Sequence, residues 1–503
     1  MTASVSRVII VGGGTAGWMA AISLARFKSP TPLQITLVES SQIATVGVGE
    51  ATIPSIVHFN RKAGLKELDF IKATQASFKL GIQFENWHQP GHQFFHPFAD
   101  FGMPVDGVAF HHYLNRLVSS GEAVNYEDYS FACLMARQNK FAQPNPQPQS
   151  PLADYSYAYH FDASLYAAYL KQHATGAGVK HLDAEIAQVQ LKPENGFIDS
   201  LILKDGSVLE GDLFIDCSGF RSLLLGQALG VGYQSWQHWL LCDSAFAVQT
   251  TRQGEITPYT RSIAMDAGWQ WRIPLQHRMG NGHIFSSAFC TDEQARQSLL
   301  NTVEGEVLTE PRKLSFTPGR RDKIWHKNCF ALGLASGFLE PLESTSISLV
   351  QTALAKLEAF FPSQGFADCD ITEVNRLHNL ELEQIRDFLI LHYKLTARRD
   401  TEFWRYCADM PIPDSLAHKI ELYQHRGHVA LYDQESFKHS SWLAMYNGFQ
   451  VFPRQFDTRA TMVPLELLQQ KLRQMRESME KAVMQADSHQ TFINRHCQAA
   501  QRP

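Results

Sequence analysis

The sequence has few of the features that mark metal-binding, membrane-spanning or nucleic-acid-binding proteins. Its 503 residues contain eight cysteines and no CxxC pair, which disfavours a zinc site or a disulfide framework. Basic residues number 45 against 50 acidic ones, so we expect no basic surface for DNA or RNA. No apolar run approaches membrane-spanning length, and the chain passes from Met1 almost directly into a strand-like segment. We therefore expect a cytoplasmic protein that binds neither nucleic acid nor membrane.

Histidine is the one metal-ligating residue type that clusters in the sequence. His88, His92, His111 and His112 lie close together along the chain. Their spacing is not that of a helix-borne HExxH pair, and no carboxylate accompanies them convincingly. The sequence therefore predicts no metal site.

The length of the chain predicts more than one structural unit. Residues 1–350 alternate strand and helix signals and include a predicted strand meander at 186–191 and 198–203. Residues of about 85–150 are rich in aromatic residues, His and Pro, and are interpreted as inserted pocket loops. Residues 351–503 show long amphipathic helices, with Leu468, Leu472, Met475 and Met479 on one face. The sequence thus predicts an α/β (α+β) fold with a largely helical C-terminal part.

A glycine-rich turn follows the first predicted strand. Residues Gly12, Gly13, Gly14, Thr15, Ala16 and Gly17 form a GxGxxG pattern between that strand and a helical stretch at 18–27, and Glu39 ends the next strand. The glycines let backbone N–H groups reach a pyrophosphate at a helix N-terminus, and the acid can bind a ribose diol. A structural turn in an unrelated protein is the alternative, but strand, loop, helix and acid all occur in order. Because the pattern occurs once, permanently bound FAD fits better than NAD.

Four motifs, in order along the chain, resemble those of the flavin-dependent halogenases of the tryptophan halogenase family. They are GGGTAGW at 12–18, like the family's GxGxxGW loop; SFKLG at 77–81, like the segment with the catalytic lysine; GWQWRIP at 268–274, like its WxWxIP signature; and FLEPLESTSI at 338–347, like its glutamate and halide loop. The resemblance implies a Rossmann-like FAD-binding core of the flavin monooxygenase type, with the helical C-terminal part binding substrate.

The resemblance also implies the reaction. FADH2 from a separate flavin reductase, O2 and chloride or bromide would give hypohalous acid, which moves through the protein to Lys79 and then halogenates a small aromatic substrate. Glu343 would orient the halogenating species and accept the proton of the arene. Without the motif, Lys79 would be a solvated surface lysine and Glu343 a helix-start carboxylate. The protonation state of Lys79 stays open, because burial and a nearby carboxylate shift its pKa in opposite directions.

Further residues are assigned to ligands by the same resemblance. Thr345 and Ser346 would hold the halide; the family usually has Gly at the position of Ser346, which leaves chloride or bromide open. Beyond the glycine loop and Glu39, the expected FAD-binding residues are Ile43, Glu50, Ala51, Ile186, Leu334 and Ile347.

Aromatic residues are expected to line the substrate pocket and tunnel. Trp269 and Trp271 would separate the flavin from the organic substrate, although aromatic core packing is the ordinary interpretation of such a pair. His96 and Phe98 would flank the arene, with a structural role for His96 equally open. Trp442 lies in the stretch 441–453, which lacks the Tyr-Tyr pair and Glu of tryptophan-specific members. An indole-like substrate is therefore favoured over free tryptophan.

Two alternatives remain at this point. A flavin monooxygenase would hydroxylate an aromatic substrate without needing halide, and a flavin-binding sensor or scaffold would bind FAD without turnover. Lys79, Glu343 and the tryptophan pair favour the halogenase, because neither alternative needs all of them. The chain is expected to act as a monomer or homodimer.

Overall fold

A computed structural model describes residues 5–42, 49–145, 147 and 154–500. The chain divides into two compact units. The first comprises Met1–Ala76, Phe161–His238 and Ser315–Glu383, and the second comprises Ser77–His160, Trp239–Leu314 and Gln384–Pro503. One predicted cofactor residue, Ile43, lies outside the described residues.

The strands of both units, in chain order, are β1 Arg7–Val11, β2 Gln34–Glu39, β3 Gly49–Ala51, β4 Ser77–Lys79, β5 Gly81–Glu85, β6 Gln93–Pro97, β7 Ala158–Asp162, β8 Lys180–Asp183, β9 Ile186–Leu191, β10 Ile198–Leu203, β11 Val208–Glu210, β12 Leu213–Asp216, β13 Tyr233–Ser235, β14 Ser244–Thr250, β15 Thr260–Met265, β16 Gly268–Pro274, β17 Met279–Phe285, β18 Arg312–Ser315, β19 Gly319–Arg321, β20 Trp325–His326, β21 Cys329–Ala331 and β22 Gly337–Phe338. The helices are α1 Thr15–Arg26, α2 Ser55–Lys62, α3 Glu67–Ala73, α4 Phe110–Ser119, α5 Phe131–Arg137, α6 Ala163–Gly176, α7 Asp292–Thr302, α8 Ser346–Ala359, α9 Asp368–Lys394, α10 Glu402–Asp409, α11 Asp414–Arg426, α12 His439–Gly448, α13 Leu465–Met484 and α14 His489–His496.

The first unit is built on a six-stranded sheet with the order β20-β21-β12-β1-β2-β8. Its strands pair in parallel except at β20. The central strand β1 is almost entirely buried because its apolar run has neighbours on both edges. The predicted βαβ unit is confirmed. Helix α1 begins at Thr15, three residues earlier than expected, because the small residues Thr15, Ala16 and Gly17 form its first turn.

A three-stranded antiparallel sheet, β11-β10-β9, is attached to the first unit. Its first two strands have the predicted bounds, since period-two apolar positions and two turns fix them. Ile186, at the start of β9, packs against a buried apolar cluster that includes Val38 and Phe214.

The second unit contains a seven-stranded sheet with the order β18-β14-β17-β16-β15-β5-β6. Every residue of β16 is buried, and this strand pairs antiparallel with β15 and β17. The unit also holds α4, α5 and β6, so the segment predicted as pocket loops at about 85–150 contains regular structure. Phe110, Tyr113, Leu114 and Leu117 are buried on one face of α4, a helical period that the aromatic and His content obscured.

Helices follow residue 345, as the amphipathic pattern predicts, and α13 buries Leu468, Leu472 and Met479. The compact units do not follow the predicted boundary at residue 350, however. Helix α8 belongs to the first unit, which extends to Glu383 inside α9. Among the described helices, none is long and apolar enough to cross a membrane.

Candidate active site

The turn between β1 and α1 brings three backbone segments of the first unit together. Gly12 has a φ of +110°, and a Cβ there would lie 2.3 Å from the carbonyl oxygen of Cys217, just after β12. A Cβ on Gly17 would lie 1.9 Å from the carbonyl oxygen of Gly12. Gly333 approaches from a third segment, since its Cβ would lie 3.0 Å from that of Ala16. The glycines are therefore required by close backbone approach.

Glu39 lies directly against this turn. A Cβ on Gly13 would collide with the Glu39 carboxylate, which pairs with Lys171 Nζ at 3.2 Å and His181 Nε2 at 2.9 Å. A Cβ on Gly14 would meet nothing within 4 Å, and α1 has no side-chain cap. The first N–H groups of α1 are thus available to an anion, next to a carboxylate that accepts hydrogen bonds.

Small-residue turns also follow β12 and β21 in the first unit. Asp216 is fully buried; one carboxylate oxygen accepts from the backbone N–H groups of Leu224 and Leu225 at 2.8 Å each, and the other accepts from the N–H of Ser218 at 3.0 Å. The carboxylate thereby fixes the turn that touches Gly12. Leu334, a predicted cofactor residue, lies in the short 3-10 turn Gly333–Ala335.

The predicted glutamate and halide residues form the entry to α8. Glu343 and Thr345 are each 1% exposed, and Ser344 between them has a left-handed φ of +59°. The Thr345 hydroxyl is buried with no hydrogen-bond partner. Ser346 and Ile347 open the helix, which has no side-chain cap. An uncapped helix N-terminus beside an unpartnered hydroxyl donor is suited to a small anion.

Glu50 and Ala51 lie in β3 of the same unit. Burial raises the pKa of the Glu50 carboxyl to about 7. This side chain is therefore substantially protonated at neutral pH and can donate as well as accept a hydrogen bond.

In the second unit, Lys79 ends β4 and is 0% exposed. The default interpretation of this residue as a surface lysine is thus wrong. Its Nζ lies 5.2 Å from the centroid of the Phe98 ring, which places two predicted site residues together. A buried amine facing an aromatic ring is held by cation–π attraction when it is charged.

Neighbouring polar groups fix the strand that carries Lys79. The Ser77 hydroxyl donates to the Pro274 carbonyl oxygen at 2.6 Å and lies 3.0 Å from His160 Nδ1, while His160 Nε2 lies 2.9 Å from the Thr260 hydroxyl. Since a hydroxyl has one proton, His160 Nδ1 donates to Ser77. Burial, followed by the charge of Lys79, holds the pKa of His160 well below its usual value, so this histidine is neutral. The end of β16 and the lysine strand are thereby tied together.

Trp269 and Trp271 lie on one face of β16, with ring centroids 6.2 Å apart. Trp271 covers Gly282 on β17, where a Cβ would meet its indole ring at 2.0 Å. Trp269 packs 6.5 Å from Trp87, which in turn packs against Trp404. This packing serves the core, and the predicted role as a barrier stays a prediction.

His96 and Trp442 border one aromatic cluster. Phe388 stacks on Phe437 at 3.9 Å between ring centroids; its ring lies 6.0 Å from that of His96 and 5.0 Å from that of Trp442. Two predicted pocket residues that are far apart in the sequence are thus joined through Phe388.

Comparison with known proteins decides the family. A family model described as tryptophan halogenase matches residues 7–465. The tryptophan 6-halogenase SttH of Streptomyces toxytricini is 36% identical over 86% of this chain and 86% of its own length. Two solved flavin-dependent halogenases are similar throughout: BrvH of Brevundimonas sp. BAL3 (46% identity, TM-score 0.94, 97% of this chain and 99% of that chain) and Xcc4156 of Xanthomonas campestris (45%, 0.96, 100% of each).

The chain belongs to the tryptophan halogenase family. It is a flavin-dependent halogenase, and the predicted recognition, enzyme class and Rossmann-like α/β fold are confirmed. The turn at Gly12–Gly17 fits FAD, since the uncapped N-terminus of α1 offers N–H groups to a phosphate beside the Glu39 carboxylate. In the described part of this halogenase, no three His, Cys, Asp or Glu side chains form a metal-binding group.

Two charged residues of the halogenase were missed by sequence reasoning. Lys419 and Glu435 form a buried ion pair, and Lys419 Nζ lies 4.2 Å from the centroid of the Trp442 ring. The available signal was the face of α11, where Lys419 lies among the apolar residues Leu416, Ile420 and Tyr423. A lysine on the apolar face of an amphipathic helix indicates a buried partner.

Proposed function

We propose that the enzyme uses FADH2, O2 and chloride or bromide to make hypohalous acid, and that Lys79 delivers this acid to an electron-rich, indole-like or tryptophan-like aromatic substrate. The observation that carries the proposal is the complete burial of Lys79 beside Phe98. Burial excludes the water that would otherwise compete for hypohalous acid.

The cofactor is proposed to lie against the β1–α1 turn. Residues 12–17 would bind its pyrophosphate and Glu39 its ribose, with Glu50, Ala51, Ile186, Leu334 and Ile347 as further FAD contacts. When bound, reduced FAD would supply two electrons and two protons, with which O2, a halide ion and one further proton become hypohalous acid and water.

Thr345 and Ser346 are proposed to hold the halide. The unpartnered Thr345 hydroxyl can donate to an anion, as can the first N–H groups of α8. The partial positive charge at the N-terminus of this helix favours chloride or bromide there.

At Lys79 the amine hydrogen-bonds the oxygen of hypohalous acid and polarises its halogen. The ring carbon forms a bond to halogen, the O–halogen bond breaks, and the ring proton leaves, so that arene and hypohalous acid give haloarene and water. Glu343 accepts that proton and stabilises the cationic ring before it leaves. Trp269 and Trp271 keep the arene away from the flavin.

The substrate is proposed to be indole-like. Relatives such as SttH are named for tryptophan, but residues 441–453 contain no carboxylate to bind an amino acid's ammonium. His96, Phe98 and Trp442 would line the pocket, because flat aromatic faces suit an electron-rich ring. A separate flavin reductase is proposed to supply the FADH2. The enzyme is proposed to act in the cytoplasm.

The test is incubation of the enzyme with FAD, a flavin reductase, NADH, oxygen, bromide and indole, followed by mass spectrometry. We expect a product with the isotope pattern of one halogen, which disappears when halide is left out. A hydroxylated product that forms equally without halide would instead identify a flavin monooxygenase.

A further inference from the structure

The Lys419–Glu435 pair leaves one carboxylate oxygen without a partner. The side chains of this pair are 1% and 3% exposed. Glu435 Oε2 accepts from Lys419 Nζ and, at 3.2 Å, from the backbone N–H of Tyr432. Glu435 Oε1 is buried and accepts from nothing. A buried acceptor without a donor destabilises the folded protein, so its retention points to a donor that comes from outside the chain.

A buried donor without a partner lies near Lys419. Trp442 is fully buried and its Nε1–H has no acceptor. Lys419 Nζ lies 4.2 Å from the centroid of the Trp442 ring and contacts the Glu435 carboxylate, so the two residues that carry the unpartnered atoms both contact one ammonium. One unfilled acceptor and one unfilled donor therefore occur in the same neighbourhood.

This neighbourhood adjoins the aromatic cluster of the proposed substrate pocket. Trp442 packs edge-to-face on Phe388 at 5.0 Å, and Phe388 and Phe437 both border His96, at 6.0 and 6.4 Å. A flat ring that is bound along these faces would present its polar edge to Glu435 and Trp442.

The charge of the pair decides which polar edge fits. Lys419 already neutralises Glu435, and an ammonium brought next to it would be repelled by Lys419 in a poorly solvated site. A neutral ring N–H or O–H can donate a hydrogen bond to the free carboxylate oxygen without bringing a second positive charge next to Lys419. Trp442 Nε1–H can in addition donate to a carbonyl oxygen on the ligand.

We infer that Glu435 Oε1 and Trp442 Nε1 form a specificity subsite for an uncharged arene with a ring N–H or O–H donor, and against substrates with a free ammonium. The inference rests on the proposed function and names the substrate class. Glu435 and Trp442 are positioning residues here, while Lys419 holds Glu435 in place.

The test measures binding to the FAD-loaded enzyme by calorimetry, without reductant, so that no turnover occurs. We expect indole to bind at least about tenfold more tightly than benzothiophene, which has the same shape but no N–H, and than 1-methylindole and tryptamine. Equal affinities for indole and benzothiophene, or no binding of indole, would overturn the inference.

Glu435→Gln sharpens this test. Lys419 and the Tyr432 N–H are both donors, so they hold the amide oxygen at the position of Oε2 and place its NH2 at that of Oε1. The acceptor becomes a donor, and the preference for indole over benzothiophene should disappear. Where that variant does not fold, Lys419→Met/Glu435→Gln removes the buried charge and makes the same prediction.

Glu381→Gln is the matched control, because Glu381 forms another buried ion pair, with Lys356 at 2.6 Å. It should leave the ligand ranking unchanged; loss of the ranking in this variant as well would overturn the inference. Failure of the proposed function is distinguishable: indole selection without any halogenated product would refute the reaction alone, and halogenation without selection would refute the subsite alone.

Discussion

Burial determines what the amine of Lys79 can do. On a surface it would be solvated, but at 0% exposure and 5.2 Å from the Phe98 ring centroid it is shielded from water. Lys79→Met keeps the length and apolar contacts of the side chain and removes the amine. Halogenated product should fall at least about a hundredfold, while FAD binding and H2O2 release are unchanged. Product formation by mass spectrometry and peroxide by a coupled assay measure the two effects.

Two controls accompany this prediction. Lys72→Met alters an exposed lysine of α3 and should keep full activity. Trp269→Phe should keep more activity than Lys79→Met, because a ring is still present in the aromatic core. Halogenation by Lys79→Met at the wild-type rate would contradict the role of the amine.

Thr345 offers a second test at single-residue scale. Its hydroxyl is buried and has no partner in the protein. Thr345→Val removes this hydroxyl and keeps the shape of the side chain, so the free energy of unfolding should change little. The apparent KM for bromide or chloride should rise about tenfold, with the KM for indole unchanged, because one donor to the anion is lost. Steady-state kinetics with halide and indole varied in turn check this. A rise in both values together would indicate a general disturbance of the site.

Sequence reasoning found these residues unevenly. Lys79, Glu343 and Thr345 stand in motifs that resemble those of the family, so the resemblance predicted them as site residues, and only the fold shows that they are buried. Glu435 stands in no motif, and its pairing with Lys419 depends on contact across 16 residues. A free carboxylate oxygen is a property of packing, which no local pattern encodes.

At the scale of the element, the β1–α1 turn depends on glycine for a backbone reason. Gly12→Ala would place a Cβ 2.3 Å from the carbonyl oxygen of Cys217, at a φ of +110° that alanine rarely adopts. The free energy of unfolding should fall by at least about 2 kcal/mol, together with the affinity for FAD. Urea unfolding of the apo-protein and flavin titration measure the two.

Gly14→Ala is the control within the same turn, because its Cβ would meet nothing within 4 Å. Its free energy of unfolding should match that of the wild type. If both variants were equally stable, close approach to Cys217 would not be what requires glycine at residue 12.

Elements with a strong local period were predicted well. The bounds of β9 and β10 follow from alternating apolar residues between turns, and those of β1 from an apolar run before glycine. Helix α4 was missed because two histidines and two aromatic residues in its ten residues resemble a pocket loop. The pairing of β5 with β15 could not be read from local sequence, because paired residues such as Glu85 and Ile263 are 178 residues apart.

At the scale of the whole molecule, buried histidines control the response to acid. Burial is the main cause that lowers the pKa of His111 and His378 to about 3 and the pKa of His489 to about 4. These folded-state values lie below the ordinary value of 6.5, so the unfolded chain binds protons first as the pH falls. Each group then lowers the free energy of unfolding by about 2 kcal/mol between pH 6.5 and 5.

The Glu50 carboxyl acts in the opposite direction. The pKa of Glu50, raised to about 7 from 4.5, adds stability as the pH falls through that window, by about 2 kcal/mol between pH 6.5 and 5. The three histidines outweigh Glu50, so these four groups together should make the apo-protein about 3 kcal/mol less stable at pH 5 than at pH 6.5. Guanidinium unfolding at the two pH values measures the difference.

His378→Phe tests the cause, because both ring nitrogens of His378 are buried without partners and phenylalanine retains the ring. The loss of stability between pH 6.5 and 5 should shrink by about 2 kcal/mol in this variant, since nothing at residue 378 can then take up a proton. His58→Gln, at an exposed position of α2, should leave the loss as it is in the wild type. Equal stability of the wild-type protein at both pH values would mean that protonation of these histidines does not destabilise the fold.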